Sequence, residues 1–462
     1  MAQVIALLTA PVLTRLYSPD QFGLLSVYMS VVAIVGAAAT LRYEMVIPLP
    51  KRDGLAAHAL ALSLACVVVI AALSGVVLLA FPDAIASWLG YERLPAFSFL
   101  VPVGVLAIGT YTALSNWAVR QRAFPVIART KLFQAISQSF IQIGSAFTPF
   151  ATFGLVLGNL LGQSAGIGSF IRIFSRRDRA AFVGLDWERA KFLALHYWRF
   201  PAFSLPASVA FSASQYLPAL ILFSQFGAAS SGFYLLAQRV GMMPASVLGT
   251  AISQSIYKNL ADHRKSREAV GRAARVPVTI MAALTIGPAA FAAVFAPLIV
   301  EVAFGPEWVE AGHYLRWMVP WVCATVIFGA MTPIVAVLGF QKLGLAFQLG
   351  SLAASLLAMS VAGAMWGSVG AVAGFALTKA GSIVLYRLHM FHLIVINPFR
   401  IALSMSLQAL VFVLIFVITK EIVDYDVLSE LVYVVPILTG AALIYAIFVW
   451  TALRASRLSV GN

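Results

Sequence analysis

The sequence of 462 residues is too apolar for a water-soluble protein. Hydrophobic residues make up 61% of it and charged residues 10%, and the mean hydropathy is +0.93. Soluble proteins carry about 25% charged residues, so the composition excludes a soluble fold, and the formal net charge of +14 belongs to a membrane protein.

Apolar stretches of about 20 residues recur along the chain without the alternation of outer-membrane barrel strands, which predicts an all-α integral membrane protein. Polar and turn-rich breaks divide the sequence into about fourteen transmembrane helices. They lie near 1–14, 22–49, 55–81, 95–117, 127–151, 153–175, 200–226, 229–255, 276–304, 312–339, 343–366, 367–390, 399–419 and 430–453. The first span rises only about 21 Å against a hydrocarbon core of about 30 Å. Either this start is truncated or the helix begins below the interface.

The distribution of Lys and Arg predicts the orientation in the membrane. If the N-terminus is cytoplasmic, the cytoplasmic loops and tail hold 24 of the 31 basic residues, the opposite loops hold 3, and 4 lie within spans. This is the positive-inside asymmetry. It predicts that both termini are cytoplasmic, and it accounts for the basic charge without a nucleic-acid partner.

The first twelve spans resemble two copies of six. Residues 163–172 in span 6 align with residues 378–387 in span 12, and residues 121–124 align with 341–344. Since six is even, the copies share an orientation, as in transporters with parallel repeats. We predict an N-lobe over 1–175, a basic cytoplasmic linker over 176–199, a C-lobe over 200–390, and an extra helix pair with a cytoplasmic tail over 391–462.

Two basic residues lie near the predicted centre of the bilayer, Arg239 in span 8 and Lys379 in span 12. A charge at this depth costs about 2.5 to 3.5 kcal/mol on insertion scales, so it needs a wet cavity or a partner. We interpret both as cavity cations that meet an anionic substrate. The alternative for Arg239 is a tie to helix carbonyls or to Glu44, and the alternative for Lys379 is snorkelling along a lipid-facing side.

Three further charges lie closer to the predicted span ends. Arg316, in span 10, is as compatible with an aromatic interfacial belt as with a cavity. Arg42 and Glu44 come late in span 2. Residues two apart on a helix point to different faces, so we expect each to contact another helix, either as a lock between the lobes or as a substrate or proton contact.

Polar and small residues recur at helical spacing in spans 5 and 6. Gln134, Gln138 and Gln142 form one amide stripe, which could line a cavity or bond between helices. Gly154, Gly158 and Gly162 are expected to allow close helix packing.

The motifs of an enzyme are missing from the sequence. The cytoplasmic acids form no paired carboxylate motif, no outer loop exceeds about 18 residues, and there is no Walker A loop. No His or Cys cluster has metal-ligand spacing. We therefore predict that the protein is not an enzyme and carries neither a metal nor a cofactor.

Three segments resemble a known family. They are Thr14–Gly23 (TRLYSPDQFG), Thr40–Glu44 (TLRYE) and Phe233–Arg239 (FYLLAQR), the last followed by Pro244. Together with the fourteen-span plan they are similar to the Wzx-type polysaccharide-biosynthesis flippases of the multidrug/oligosaccharidyl-lipid/polysaccharide exporter superfamily. The first span is shorter than the leading helix of that family.

The resemblance implies a MATE-like fold of two pseudo-symmetric lobes and alternating access in the bacterial inner membrane. Its implied cargo is an undecaprenyl-pyrophosphate-linked oligosaccharide repeat unit for O-antigen or exopolysaccharide synthesis, moved from the cytoplasmic to the periplasmic leaflet. It also implies a cationic cavity and, in several members, a proton or sodium gradient. We expect Arg239 and Lys379 to pair with the pyrophosphate, and Arg42, Arg316 and Glu44 to tune the gate or its coupling. A monomer would suffice, with the polysaccharide polymerase or export machinery as a candidate partner.

Three alternatives remain at this point. The same fold could carry another cargo, a peptidoglycan lipid precursor or a drug, although four basic residues and one acid within the spans argue against a cationic drug. A membrane-embedded enzyme of glycan assembly and a lipid-binding scaffold without transport are the other two.

Overall fold

The computed structural model describes residues 2–89, 99–243, 267–329, 331 and 341–393, with a few single positions between 408 and 417. Within these ranges the regular structure is helical, as predicted. The predicted span 14 and nearly all of span 13 lie outside the described residues. By its contacts the chain divides into two units, Met1–Leu235 and Leu236–Asn462. The lobe boundaries inferred from the repeat stay a prediction.

The helices of the first unit follow one another with short connections. In chain order they are α1 (Ala2–Leu16), α2 (Pro19–Gly36), α3 (Asp53–Ala80), α4 (Pro82–Leu89), α5 (Leu100–Arg120), α6 (Phe124–Ser145), α7 (Ala151–Ser164), α8 (Ile167–Arg177), α9 (Trp187–His196) and α10 (Leu205–Phe226). A π-helical turn, Phe200–Ser204, leads directly into α10. The next helix, α11, covers residues 228–243, and the division between the units falls within it.

In the described ranges of the second unit, three long helices follow α11: α12 (Arg267–Phe304), α13 (Val309–Gly329) and α14 (Gln341–Leu393). α14 is interrupted at Trp366 and Gly367, where the backbone is not helical. Gly367 has φ +68° and ψ −158°, a conformation that only glycine adopts readily. The interruption separates two helical limbs, as the predicted spans 343–366 and 367–390 require.

Seven helical stretches in the described residues are long and apolar enough to cross a bilayer. They are Pro19–Gly36, Asp53–Ala80, Leu100–Arg120, Ala151–Phe174, Phe200–Phe226, Pro277–Phe304 and Leu343–His392, the last of which contains the interruption of α14. The protein is therefore a multi-pass membrane protein. The full number of fourteen spans stays a prediction.

The start of α2 explains part of the Thr14–Gly23 motif. Ser18 is the N-cap, Pro19 is the first helical residue, and Gln21 completes a capping box: Gln21 N–H donates to Ser18 Oγ at 3.4 Å, and Ser18 N–H donates to Gln21 Oε1 at 3.0 Å. These bonds satisfy N–H groups that have no partner inside the helix. Gly23 then lies directly against the backbone of Ala228, so the motif builds a helix start and a close helix contact.

α6 and α7 pack through the predicted amide and glycine stripes. Gln142 Nε2 donates to the carbonyl of Leu155 at 3.0 Å, and Gln134 Nε2 donates to the carbonyl of Gln163 at 2.6 Å. A Cβ added at Gly158 would come within 2.5 Å of Gln142 Cγ. The packing role of the glycines is confirmed, and for these two glutamines the structure shows bonding between helices.

The helix predicted over residues 22–49 is wrong in its second half. α2 ends at Gly36, and turns followed by a short 3₁₀ helix, Tyr43–Val46, take its place. Leu41 and Arg42 have φ values of +48° and +66°. A non-glycine residue in this left-handed region cannot continue a right-handed helix. The charges of this segment therefore lie on a compact turn.

The segment predicted as a basic linker is folded against the first unit. His58 Nε2 accepts from Asp186 N–H at 3.0 Å, and Trp117 Nε1 donates to Asp178 Oδ2 at 2.9 Å. Tyr43 Oη donates to the carbonyl of Ala194 at 3.2 Å. Trp117 belongs to a hydrophobic cluster that includes residues of α3, α5 and α8 and Leu193 of α9. These contacts hold α9 in a defined place.

Candidate functional site: buried charges within the helices

Lys379 is a buried cation on the second limb of α14. The residue is 5% exposed, and its Nζ has no hydrogen-bond partner among the residues that the structure describes. The residue shares a buried helix face with Val372, Phe375 and Ala376, at intervals of three to seven residues. Phe375 packs edge-on against Trp321 of α13, with ring centroids 5.5 Å apart. Because α14 buries this face against protein, Lys379 does not snorkel along lipid.

Arg239 lies near the end of the described part of α11 and is half-buried. Two residues further on, Gly241 is so close to α13 that an added Cβ would lie 3.0 Å from Leu315 Cδ1. Within the described ranges of the second unit, no carboxylate lies within salt-bridge distance of Arg239 or Lys379. Both cations therefore lack a counter-charge there.

Arg316 is tied to backbone carbonyls of α12. Its Nε donates to the carbonyl of Ala293 and its Nη2 donates to the carbonyl of Val294, both at 3.1 Å. Pro297 has no N–H, so the carbonyl of Ala293, four residues earlier, loses its helical partner. The guanidinium supplies the missing donor. This geometry gives Arg316 a structural contact that the sequence-based interpretations did not include.

Arg42 and Glu44 contact each other, which corrects the expectation that they are poor partners. Arg42 Nη1 and Glu44 Oε1 are 3.0 Å apart, and Glu44 also accepts a hydrogen bond from Thr40 Oγ1. Helical spacing would separate residues 42 and 44, but the left-handed backbone at Leu41 and Arg42 removes that constraint. The side chain of Glu44 is 3% exposed and that of Arg42 is 26% exposed. Arg42 thus has a counter-charge in its own segment.

The five predicted site residues fall into different environments. Arg42 and Glu44 form an ion pair in the first unit, whereas Arg239, Arg316 and Lys379 belong to the second. In the described residues, the structure records one contact among these five, the ion pair between Arg42 and Glu44. Whether any of them binds a substrate stays a prediction.

The sequence reasoning missed Thr40 and Ala293, which hold Glu44 and Arg316. The signal for Ala293 is present in the sequence, because a proline inside a helix always frees the carbonyl four residues before it. Thr40 begins the Thr40–Glu44 motif, but the sequence does not indicate its bond to Glu44, because that bond depends on the turn that replaces the helix.

Several solved structures share the fold of this chain. The lipid II flippase MurJ in its inward closed conformation has a TM-score of 0.74 at 12% sequence identity, covering 98% of this chain and 97% of that chain. An inward-facing multidrug resistance MATE family transporter of the MOP superfamily has a TM-score of 0.65 at 13% identity, covering 88% and 95%. The Vibrio cholerae MATE transporter VcmN in the bent form has a TM-score of 0.52 at 13% identity, covering 88% and 95%.

At these identities the likeness shows the fold alone, and it is the predicted MATE-like fold. No curated protein matches the sequence significantly. Residues 12–313, more than half of the chain, match the family described as polysaccharide biosynthesis protein. The chain therefore belongs to the polysaccharide biosynthesis protein family, as the three motifs indicated.

Proposed function

We propose that this protein flips an undecaprenyl-pyrophosphate-linked oligosaccharide across the bacterial inner membrane. Family membership and a fold shared with flippases and MATE transporters support transport linked to polysaccharide synthesis. The proposal adds the cargo, the inner-membrane location, cytoplasmic termini, a monomeric state, and the absence of catalysis. Coupling to a proton or sodium gradient is part of the same proposal.

The observation that carries the proposal is the buried ammonium of Lys379, which has no hydrogen-bond partner in the described part of the chain. A buried charge without a partner is strongly unfavourable, so a protein that keeps one needs a compensating group at some stage of its work. An anionic substrate is such a group. Two cations of the predicted set already have partners, because Arg42 pairs with Glu44 and Arg316 donates to two backbone carbonyls. Arg239 and Lys379 remain as candidates for binding an anion.

The chemistry of a pyrophosphate suits the two remaining cations. Its oxygens accept charge-assisted hydrogen bonds, and an arginine fork can bind two of them at once while a lysine acts as a point charge. In the proposed mechanism Arg239 and Lys379 bind the pyrophosphate, the sugars pass through a wet cavity, and the lipid tail stays in the bilayer. Arg316 and the Arg42–Glu44 pair support the gate or its coupling without being the main anion contacts.

The proposal is tested by removing and restoring the charge at position 379. Lys379→Gln is expected to abolish, and Lys379→Arg to retain in part, the complementation of a strain that lacks its own polysaccharide flippase. The matched control is Lys131→Gln, which removes an exposed lysine of α6 and is expected to leave export normal. Membrane levels of all variants are measured by immunoblot. Normal export by Lys379→Gln would overturn the assignment.

A flipping assay with purified protein in vesicles distinguishes the proposed cargo from the alternative cargoes. A fluorescent undecaprenyl-pyrophosphate oligosaccharide is expected to change leaflet with the wild type and roughly 10- to 100-fold more slowly with Lys379→Gln. A peptidoglycan lipid precursor and a cationic drug are tested in parallel. Movement of the peptidoglycan precursor alone would keep the transporter fold and replace the cargo, while chemical turnover of the lipid-linked sugar would favour the enzyme alternative.

A further inference from the structure

Helix α9 exposes an unusual amount of apolar surface for a segment outside the predicted spans. Trp187 is 70% exposed, Leu195 is 66% exposed and Phe192 is 60% exposed. Exposures of this size also occur on helices long and apolar enough to face lipid, as at Leu79 on α3, which is 79% exposed. Large apolar side chains on a water-facing helix would be costly, so this surface calls for a covering partner.

The side chains of α9 fall into three sectors. Ala190 and Leu193 are buried and Ala194 is half-buried, at intervals that place them on one face against the first unit. Arg189 and His196 are exposed and polar. Trp187, Leu195 and Phe192 lie on the arc of the helix surface between these two sectors, and this arc also carries Lys191 and Glu188. A helix with one face on protein and exposed apolar and charged side chains on the rest of its surface suits the boundary between water and a bilayer.

The apolar sector continues into a membrane-spanning segment. Trp198 follows α9 directly, is 53% exposed, and has its ring centroid 6.1 Å from that of Phe203. Phe203 is 61% exposed and belongs to the span Phe200–Phe226. Exposed apolar side chains thus occur on α9, at Trp198 after it and on the span that follows. Tryptophan is enriched at this depth, because its ring is apolar and its N–H is polar.

The charges of α9 indicate which lipids it meets. Arg189, Lys191 and Arg199 are exposed. The two acids of the segment, Asp186 and Glu188, lie at the helix start, where Asp186 caps the helix through a bond from Glu188 N–H. From Arg189 to the beginning of the span the segment is therefore purely basic. Long basic side chains can reach phosphates while their stems stay on apolar surface, and such segments attract anionic lipids.

We infer that α9 lies in the headgroup region of the adjacent leaflet and binds anionic phospholipids there. Trp187, Phe192, Leu195 and Trp198 enter the interface, while Lys191 and Arg199 contact lipid phosphates. By the positive-inside distribution this leaflet is the cytoplasmic one. The inference does not depend on the transported cargo, since none of these residues belongs to the proposed pyrophosphate site.

The depth of α9 is tested with spin labels on the full chain. The native cysteines Cys66 and Cys323 are replaced by alanine, and single labels are placed by Leu195→Cys or Arg189→Cys. In vesicles containing phosphatidylglycerol, the label at 195 is expected to be accessible to oxygen and shielded from a water-soluble nickel complex. The label at 189 is expected to show the reverse.

Two outcomes would overturn the inference. One is equal access of the nickel complex to both labels in the vesicles. The other is a label at 195 that is protected from both reagents in native membranes but open to the nickel complex in vesicles, which would show that a protein partner covers the surface.

The preference for anionic lipid is tested by retention of phosphatidylglycerol on the protein in native mass spectrometry. Removing a basic side chain near the membrane surface should weaken retention about fivefold, so Lys191→Gln with Arg199→Gln is expected to lose most of it. Arg129→Gln with Lys131→Gln, which removes two exposed charges of α6, is the control for charge alone. Equal retention by the α9 double variant and this control would contradict the inference.

Discussion

The first and second units each bury a charged side chain within a helical protein, but they treat it differently. In the first unit, Glu44 is held by Thr40 and by the guanidinium of Arg42. In the second unit, Lys379 is buried to a similar degree, and its Nζ meets no acceptor within the described ranges of that unit. A satisfied charge can be a structural element, whereas an unsatisfied one lowers stability unless a ligand compensates for it. The difference distinguishes a buried charge that supports the structure, Glu44, from one that is available to bind a ligand, Lys379.

The largest expected effect is on transport after Lys379→Met. Loss of charge-assisted hydrogen bonds to a pyrophosphate is worth roughly 10- to 100-fold in rate, measured as flipping in vesicles. The melting temperature in detergent should stay unchanged or rise, because the substitution removes an uncompensated buried charge. A marked fall in melting temperature would show that Lys379 has a structural partner, and the contrast between the units would fail.

Glu44→Gln is expected to have the opposite effect on stability. It leaves Arg42 without its counter-charge, and because Arg42 is partly exposed we expect a loss of about 2 kcal/mol in the free energy of unfolding. Thermal unfolding in detergent measures the shift. Adding Arg42→Gln should recover part of it, because no lone charge then remains. Additive losses in the double variant would mean that the two side chains are not coupled.

A smaller effect is expected at Arg316, whose charge is satisfied by carbonyls instead of a carboxylate. Arg316→Met should lower the free energy of unfolding by about 1 to 2 kcal/mol, because the carbonyl of Ala293 loses its donor. In a Pro297→Ala background, the backbone N–H returns and the loss should shrink. A loss of the same size in both backgrounds would show that Arg316 does not compensate for the missing N–H of Pro297.

The smallest expected effect concerns neutral backbone N–H groups at the start of α2, which need a hydrogen-bond acceptor as a buried charge needs a partner. Ser18→Ala removes the N-cap of α2 and should cost about 1 kcal/mol of stability. Ser360→Ala is the matched control, because Ser360 is exposed and its hydroxyl only bonds to the carbonyl of Leu356 in its own helix. Equal shifts in melting temperature for the two variants would show that Ser18 does not stabilise α2 as its N-cap.

Much of the architecture could be predicted because it depends on local pattern. A long apolar run has to become a helix in lipid, since every backbone polar group must bond within its own segment. The two limbs of α14 and the starts of α3, α6 and α10 lie near the predicted positions for this reason. The glycine stripe of α7 could also be read from spacing, because small residues four apart always share a helix face.

The environment of each charge could not be predicted in the same way. The amide stripe of α6 left a choice between cavity and helix contact, and only the position of α7 decided it for Gln134 and Gln142. The fold of the linker was also missed, because the bonds of His58 to Asp186 and of Tyr43 to Ala194 join residues more than a hundred positions apart.

The amino-acid order alone was enough to determine a helical membrane protein, most span positions and the resemblance to a polysaccharide biosynthesis family, because hydropathy and short motifs are local properties. The tertiary structure decided that α2 ends at Gly36, that Arg42 pairs with Glu44, that Arg316 bonds to α12, and that Lys379 is buried with no partner among the residues described. These facts depend on which atoms of distant or left-handed segments come within about 3 Å of one another, and neither composition nor periodicity contains that information.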